Sequence, residues 1–84
     1  MIALMNVVSP AVVFGDDLPG AMAAQVWDRS RRRWLYVAVF GAARRGVVFD
    51  PKTGHRRWYR DVSTLPELIE SVNTRRMMKM RANV

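Results

Sequence analysis

The sequence predicts an α+β domain. An antiparallel meander of four strands, with a fifth N-terminal strand as the alternative to a loose apolar arm, packs on one C-terminal helix and ends in a basic tail. Three observations carry this. Runs rich in β-branched and aromatic residues recur between residues 24 and 60, as strands prefer. The stretches between them are dense in Gly, Pro, Asp and Arg and read as hairpin connections. After Thr64 the apolar spacing switches to the 3.6-residue period of a helix. Eighty-four residues make one domain.

Met1–Phe14 contains no charged side chain. Ala21-Met22-Ala23 has the small-x-small form of a signal-peptide cleavage site. A basic n-region is missing, Pro10 interrupts the apolar run, and Asp16 and Asp17 precede the candidate site. The segment is also too short to span a membrane, which takes ~20 apolar residues. It therefore reads as a first strand over Ala3–Val8 or as an arm packed on the domain. Gly15-Asp16-Asp17-Leu18-Pro19-Gly20 is a turn-rich linker. These divisions give an arm and linker over 1–20, a core domain over 21–73 and a tail over 74–84.

The next strand is Ala24–Trp27, followed by the polar tip Asp28–Arg32. Arg33–Phe40 is apolar at successive positions, so both of its faces want cover and it belongs in the middle of the sheet. Gly41–Gly46 turns the chain into Val47–Phe49. In Asp50-Pro51-Lys52-Thr53-Gly54, aspartate bonds local backbone, Pro51 presets φ and Gly54 supplies positive φ, which specifies a tight hairpin into His55–Arg60. Pairing Asp50 with His55 sets Phe49 opposite Arg56 and Val47 opposite Trp58, with Val48, Arg57 and Tyr59 on the other face.

Thr64-Leu65-Pro66-Glu67 fits a helix-capping box. Leu65, Leu68, Ile69 and Val72 form one apolar stripe, whose next positions are Arg75, Arg76 and Lys79. The buried face is thus expected to end at Val72 and the helix near Asn73. One helix covers one face of a sheet. The second apolar face needs the Met1–Phe14 arm, a second copy of the chain or a ligand.

The charge is lopsided: twelve arginines, two lysines and seven acidic residues give +7. Guanidinium is permanently charged and offers a planar fork that fits phosphate or carboxylate and stacks on rings. An anionic partner follows, either nucleic acid or an acidic protein surface. There is no cysteine and one histidine, which removes disulfides, thiolate zinc and a histidine metal cluster. No cofactor fingerprint or small-molecule catalytic motif is present, and a reducing, cytoplasmic setting is natural.

The candidate binding residues are Arg31, Arg32 and Arg33 beside Arg29 at one hairpin tip, and Arg44 and Arg45 at the next. Arg56, Arg57, Trp58, Tyr59 and Arg60 follow on the last strand, then Arg75 and Arg76. Arginines grip phosphates while Trp58 and Tyr59 stack on bases. The plainer reading is solvated loops and edge-strand charge that resists aggregation. The expected function is a non-enzymatic nucleic-acid-binding module acting as a homodimer. One alternative is a phage- or plasmid-type accessory protein that docks on a larger nucleic-acid-processing complex. Another is a metal-free ribonuclease toxin using His55, Arg56, Arg57, Tyr59 and Asp61, which supply a base, an acid and cations in type but not in a diagnostic spacing.

Overall fold

A computed structural model describes residues 1–82. Its elements are β1 (Ile2–Val8), a one-turn helix α1 (Ala11–Phe14), β2 (Ala21–Asp28), β3 (Arg33–Phe40), β4 (Arg45–Asp50), β5 (His55–Arg60) and a long helix α2 (Leu65–Ala82). The strands form one antiparallel sheet in the order β1-β2-β3-β4-β5. The α+β meander on one helix is as the sequence predicts, and the N-terminal segment supplies the fifth strand. The apolar strand β3 is central.

The three hairpins of β2–β5 share one design. Each joins its strands through four residues, and the last of the four is left-handed: Arg32 (φ 55°), Arg44 (φ 51°) and Gly54 (φ 75°). In two of them an aspartate opens the loop. The Asp28 carboxylate accepts the Ser30 N–H, and the Asp50 carboxylate accepts the Lys52 N–H, each at 3.1 Å. Glycine takes the left-handed position without strain, whereas a side chain there costs roughly 1 kcal/mol or more. Two of the three positions nonetheless carry arginine.

The β4–β5 register matches the expected one from Asp50↔His55 through Val47↔Trp58. Alternation therefore sorts the sheet into a helix face and a far face. The helix face holds the main core: Ala24, Val26, Leu35, Val37, Val39 and Val48 under Leu65, Leu68 and Val72 of α2. The capping box forms as expected. Thr64 Oγ1 accepts the Glu67 N–H at 3.3 Å and donates to the Glu67 carboxylate at 3.1 Å.

Several boundaries differ from expectation, among them β2, which runs over Ala21–Asp28 and not only Ala24–Trp27. Arg45 and Gly46, expected in a turn, belong to β4, where Gly46 faces α2. A Cβ there would lie 2.9 Å from Leu68 Cδ1 and 3.0 Å from Val62 Cγ2, so glycine is what lets the helix lie this close to the sheet. Helix α2 runs past Asn73, whose side chain accepts the Ile2 N–H at 3.0 Å and ties β1 to the helix instead of ending it. The apolar stripe also has a polar continuation, because Arg76 docks on the buried Asp28. The expected tail 74–84 is thus helical to Ala82, and 83–84 lie outside the described residues.

Part of the far face is covered from within the chain. Serine, proline and an apolar run start α1, and Gly15 at φ 81° ends it. The one-turn helix lays Val13 over Ala23, Ala38 and Val47, and Phe14 against Phe40 with ring centroids 5.3 Å apart. The rest of that face remains bare.

Candidate functional site

A meander places alternate turns at alternate ends, and the helix then runs back along the sheet. This geometry sorts the charge. The β2–β3 and β4–β5 loops lie at one end, and α2 arrives there with Arg75 and Arg76. That end and the adjoining half of β5 carry Arg29, Arg31, Arg32, Arg33, Lys52, Arg56, Arg57, Arg75 and Arg76 against Asp28 and Asp50. Nine cations meet two carboxylates. The opposite end carries Arg44, Arg45 and Arg60 against Asp16, Asp17, Asp61 and Glu67, while Glu70 lies between the two ends on α2. Among residues with described side chains, the whole excess of positive charge sits at one end.

At this basic end a cleft of about 540 Å³ opens between α2 and the helix face of β5. Arg31, Arg33, Arg57, Arg75 and Arg76 border it, together with His55, Thr53 and Tyr59. Two ion pairs build its wall. Arg76 grips Asp28 with both terminal nitrogens, at 2.9 and 3.0 Å. Arg33 holds Asp50 through Nε, at 3.1 and 3.2 Å, and through Nη2. Burial alone pushes the fully buried Asp28 carboxyl up. The Arg76 hydrogen bonds and charge, with the backbone N–H groups of Ser30 and Arg31, outweigh that, and the net shift is downward. The Arg33 hydrogen bonds hold Asp50 below the usual carboxylate range against its own desolvation. Both aspartates are therefore charged and occupied.

Arg57 and Arg75 differ. They reach the cleft from β5 and from α2 and have no carboxylate partner among the described residues. Arg75 lies over the Tyr59 ring, 5.8 Å from its centroid. Arg31 touches Asp28 at 3.5 Å from the rim.

Across the sheet, the far face is aromatic and only partly covered. Trp27 and Trp34 meet edge to face at 5.4 Å, and Tyr36 and Phe49 stack at 6.4 Å. Trp34 stands opposite Trp27 across the β2–β3 hairpin. It is 37% exposed, because α1 stops short of this end. Arg56 sits 4.5 Å over Phe49 and donates to the Val13 carbonyl at 2.9 Å, capping α1.

The twelve residues singled out in the sequence thus divide. Arg31, Arg33, Arg57, Tyr59, Arg75 and Arg76 line the cleft, with Arg33 and Arg76 engaged by aspartates. Arg32 stands on the loop beside it. Arg56 and Trp58 point to the far face, where Trp58 stacks on Phe40 at 6.5 Å and is half exposed. Arg45 and Arg60 are paired across β4 and β5 at the other end, and Arg44 there reaches the Ser63 hydroxyl and the Asp61 carbonyl. The ribonuclease set also splits. His55, Arg57 and Tyr59 share the cleft, Arg56 is on the other face, and Asp61 is at the other end. His55 and Tyr59 are four residues apart along β5, ~13 Å between their backbones. Sequence reasoning missed Asp28 and Asp50 as anchors. Their signal was present in the repeated loop-opening aspartate, each followed by a local N–H.

No group of three or more potential metal-ligating side chains occurs among the described residues. Nor is any described helix long and apolar enough to cross a membrane. Comparison with protein-family models, curated proteins and solved structures finds no match.

Proposed function

We propose that this chain is a non-enzymatic module that binds single-stranded nucleic acid at its basic end. The observation that carries the reading is the sorting of charge among residues with described side chains: nine cations against two carboxylates at one end, and three against four at the other. A solubilising surface has no reason to segregate its charges along the strands, whereas a polyanion-binding surface does. The partly exposed rings of Trp34, beside it, and Trp58, farther along the same face, supply a place for unpaired bases to stack.

The test is equilibrium binding of the whole chain to a mixed-sequence 12-nucleotide DNA and RNA across a salt series. The expected result is binding at 50 mM salt that weakens by about 0.7 log units per decade of salt for each phosphate engaged. Charge reversal at the other end, at Arg60, should change it little. No binding at 50 mM salt refutes the proposal. If one acidic protein then co-purified in stoichiometric amount, the accessory-protein reading would take its place.

The module works, in this reading, as a homodimer in the cytoplasm. A specific feature favours self-association through β1. That edge strand has no charged side chain, and Leu4, Met5 and Val7 are exposed beside a groove that Ile69 and Met77 of α2 also line. The opposite edge, β5, carries Arg56, Arg57 and Arg60, so two copies meeting there would repel. Asn73 and the irregularity at Leu4 close the first part of β1, leaving Met5–Val8 to pair. Antiparallel pairing there points the two basic ends in opposite directions. Val7→Lys is expected to convert a dimer to a monomer in sedimentation equilibrium, whereas Trp34→Lys, on the bare far face, should not. A monomeric wild-type chain at 100 μM would rule the dimer out.

A further inference from the structure

Arg57 and Arg75 pose a question that general strand binding does not answer. Two like charges are brought from a strand and a helix into one concavity beside Tyr59. Arg75 also borders a shallow surface pocket that Asp61, Glu67 and Glu70 line, but no ion pair joins them among the described residues. The two aspartates nearby are already held by Arg33 and Arg76. Convergent guanidinium groups raise the energy of the unliganded fold, and an anion of matching charge lowers it. Each brings five N–H donors and no acceptor.

We propose that this cleft is a site for a phosphate monoester. The proposal rests on the nucleic-acid reading for its biological source, but its chemistry is separate. An internal phosphodiester carries a single charge. A monoester carries close to two at neutral pH, with three strong acceptor oxygens, which two guanidinium forks can share. The cleft, at about 540 Å³, falls in the range of small-ligand pockets and has room for a nucleotide. Its rim also carries the Arg31 guanidinium and the Thr53 hydroxyl, which add donors at the entrance. The Arg33–Asp50 and Arg76–Asp28 pairs give the site a fixed wall, so little ordering is needed when the anion enters.

The monoester has two sources with the same chemistry, the phosphorylated end of a strand and a free nucleotide. The experiment uses the whole wild-type chain and a 3′-labelled 12-nucleotide oligothymidylate with either a 5′-phosphate or a 5′-hydroxyl. Thymidine 5′-monophosphate is titrated separately, followed by nuclear magnetic resonance. The expected result is about tenfold tighter binding of the 5′-phosphorylated strand. That preference should disappear in the Arg57→Gln/Arg75→Gln variant and persist in Arg60→Gln. Both arginines are at least partly exposed, and an unchanged circular dichroism spectrum would confirm that the variant folds. If the monophosphate shifts the resonances of Tyr59 and Arg57 while the strand ends make no difference, the source is a free nucleotide and the site stands. Equal affinity for both strand ends, with no response to the monophosphate, overturns the site but leaves strand binding intact. Failure of both oligonucleotides to bind, with a clear response to the monophosphate, overturns strand binding and leaves the site.

Discussion

Replacing Arg76 with leucine is expected to lower the stability of the fold by roughly 3 kcal/mol, the low end of the 3–5 kcal/mol measured when one partner of a buried ion pair is removed. Asp28 has no exposed surface, so without Arg76 its charge would be left inside the protein. The low end applies because Arg31 and the Ser30 N–H remain to hold it, and because Arg76 is itself a quarter exposed. Small domains have only ~5–15 kcal/mol in total, so a shift of this size is easily seen in urea unfolding. The double variant Asp28→Leu/Arg76→Leu should recover much of the loss, since a buried pair replaced as a unit is often neutral. Acid probes the same interaction. Asp28 and Asp50 are both depressed in the fold, so their contribution is complete above the unfolded value near 3.9 and is lost as pH falls through the lower folded values. Stability should change little through these two groups between pH 7 and 5 and drop below about 4. A variant as stable as the wild type at neutral pH would show that the pair is dispensable.

Leu68→Ala should cost about 2–5 kcal/mol, the usual range for truncating a fully buried leucine. The side chain fills the space above Gly46, where the sheet has no side chain of its own. This makes the loss partly reversible in a specific way. Gly46→Ala in the wild type forces a methyl to within 3.0 Å of Leu68 and Val62, and overpacking of this kind typically costs 1–3 kcal/mol, so roughly 1 kcal/mol is expected for one methyl. In the Leu68→Ala background the clash with Leu68 is gone and the same methyl fills part of the cavity. The two changes should therefore be less harmful together than their sum, with coupling on the order of 1 kcal/mol in a double-mutant cycle. Strict additivity would mean that helix and sheet do not meet at this point.

Much of the fold was legible because it is written in local chemistry. Arg33–Phe40 and His55–Arg60 have the bounds expected of them, since each is flanked by a loop whose residues have no other use. The Asp50-to-Gly54 turn fixed the β4–β5 register and with it the division of Arg56 and Trp58 from Arg57 and Tyr59. Long-range partners were not legible. Nothing local says that Asn73 will bond Ile2, so the helix was expected to stop there. Nothing local says that Arg76 will find Asp28, forty-eight residues away, so a structural arginine was read as a free one. Gly46 looked like turn glycine because its reason for being glycine is a leucine on another element. The cleft was invisible because its two unpartnered arginines, on consecutive elements, meet only through the way α2 packs back across the sheet. What the sequence did contain was the surplus of arginine, and the topology then decided where that surplus collected.

Collecting it has a consequence before any contact is made. Among residues with described side chains, the positive excess sits at one end of the sheet and a slight negative excess at the other, so charge is distributed unevenly along the strands. In the field of an approaching polyanion the molecule experiences a torque as well as an attraction, and it turns Arg32 and its neighbours forward while still separated by solvent. For the nucleic-acid strand proposed above, encounter would thus be oriented as well as accelerated, and added salt, which shortens the reach of that field to ~8 Å at physiological strength, should slow association more than it speeds release.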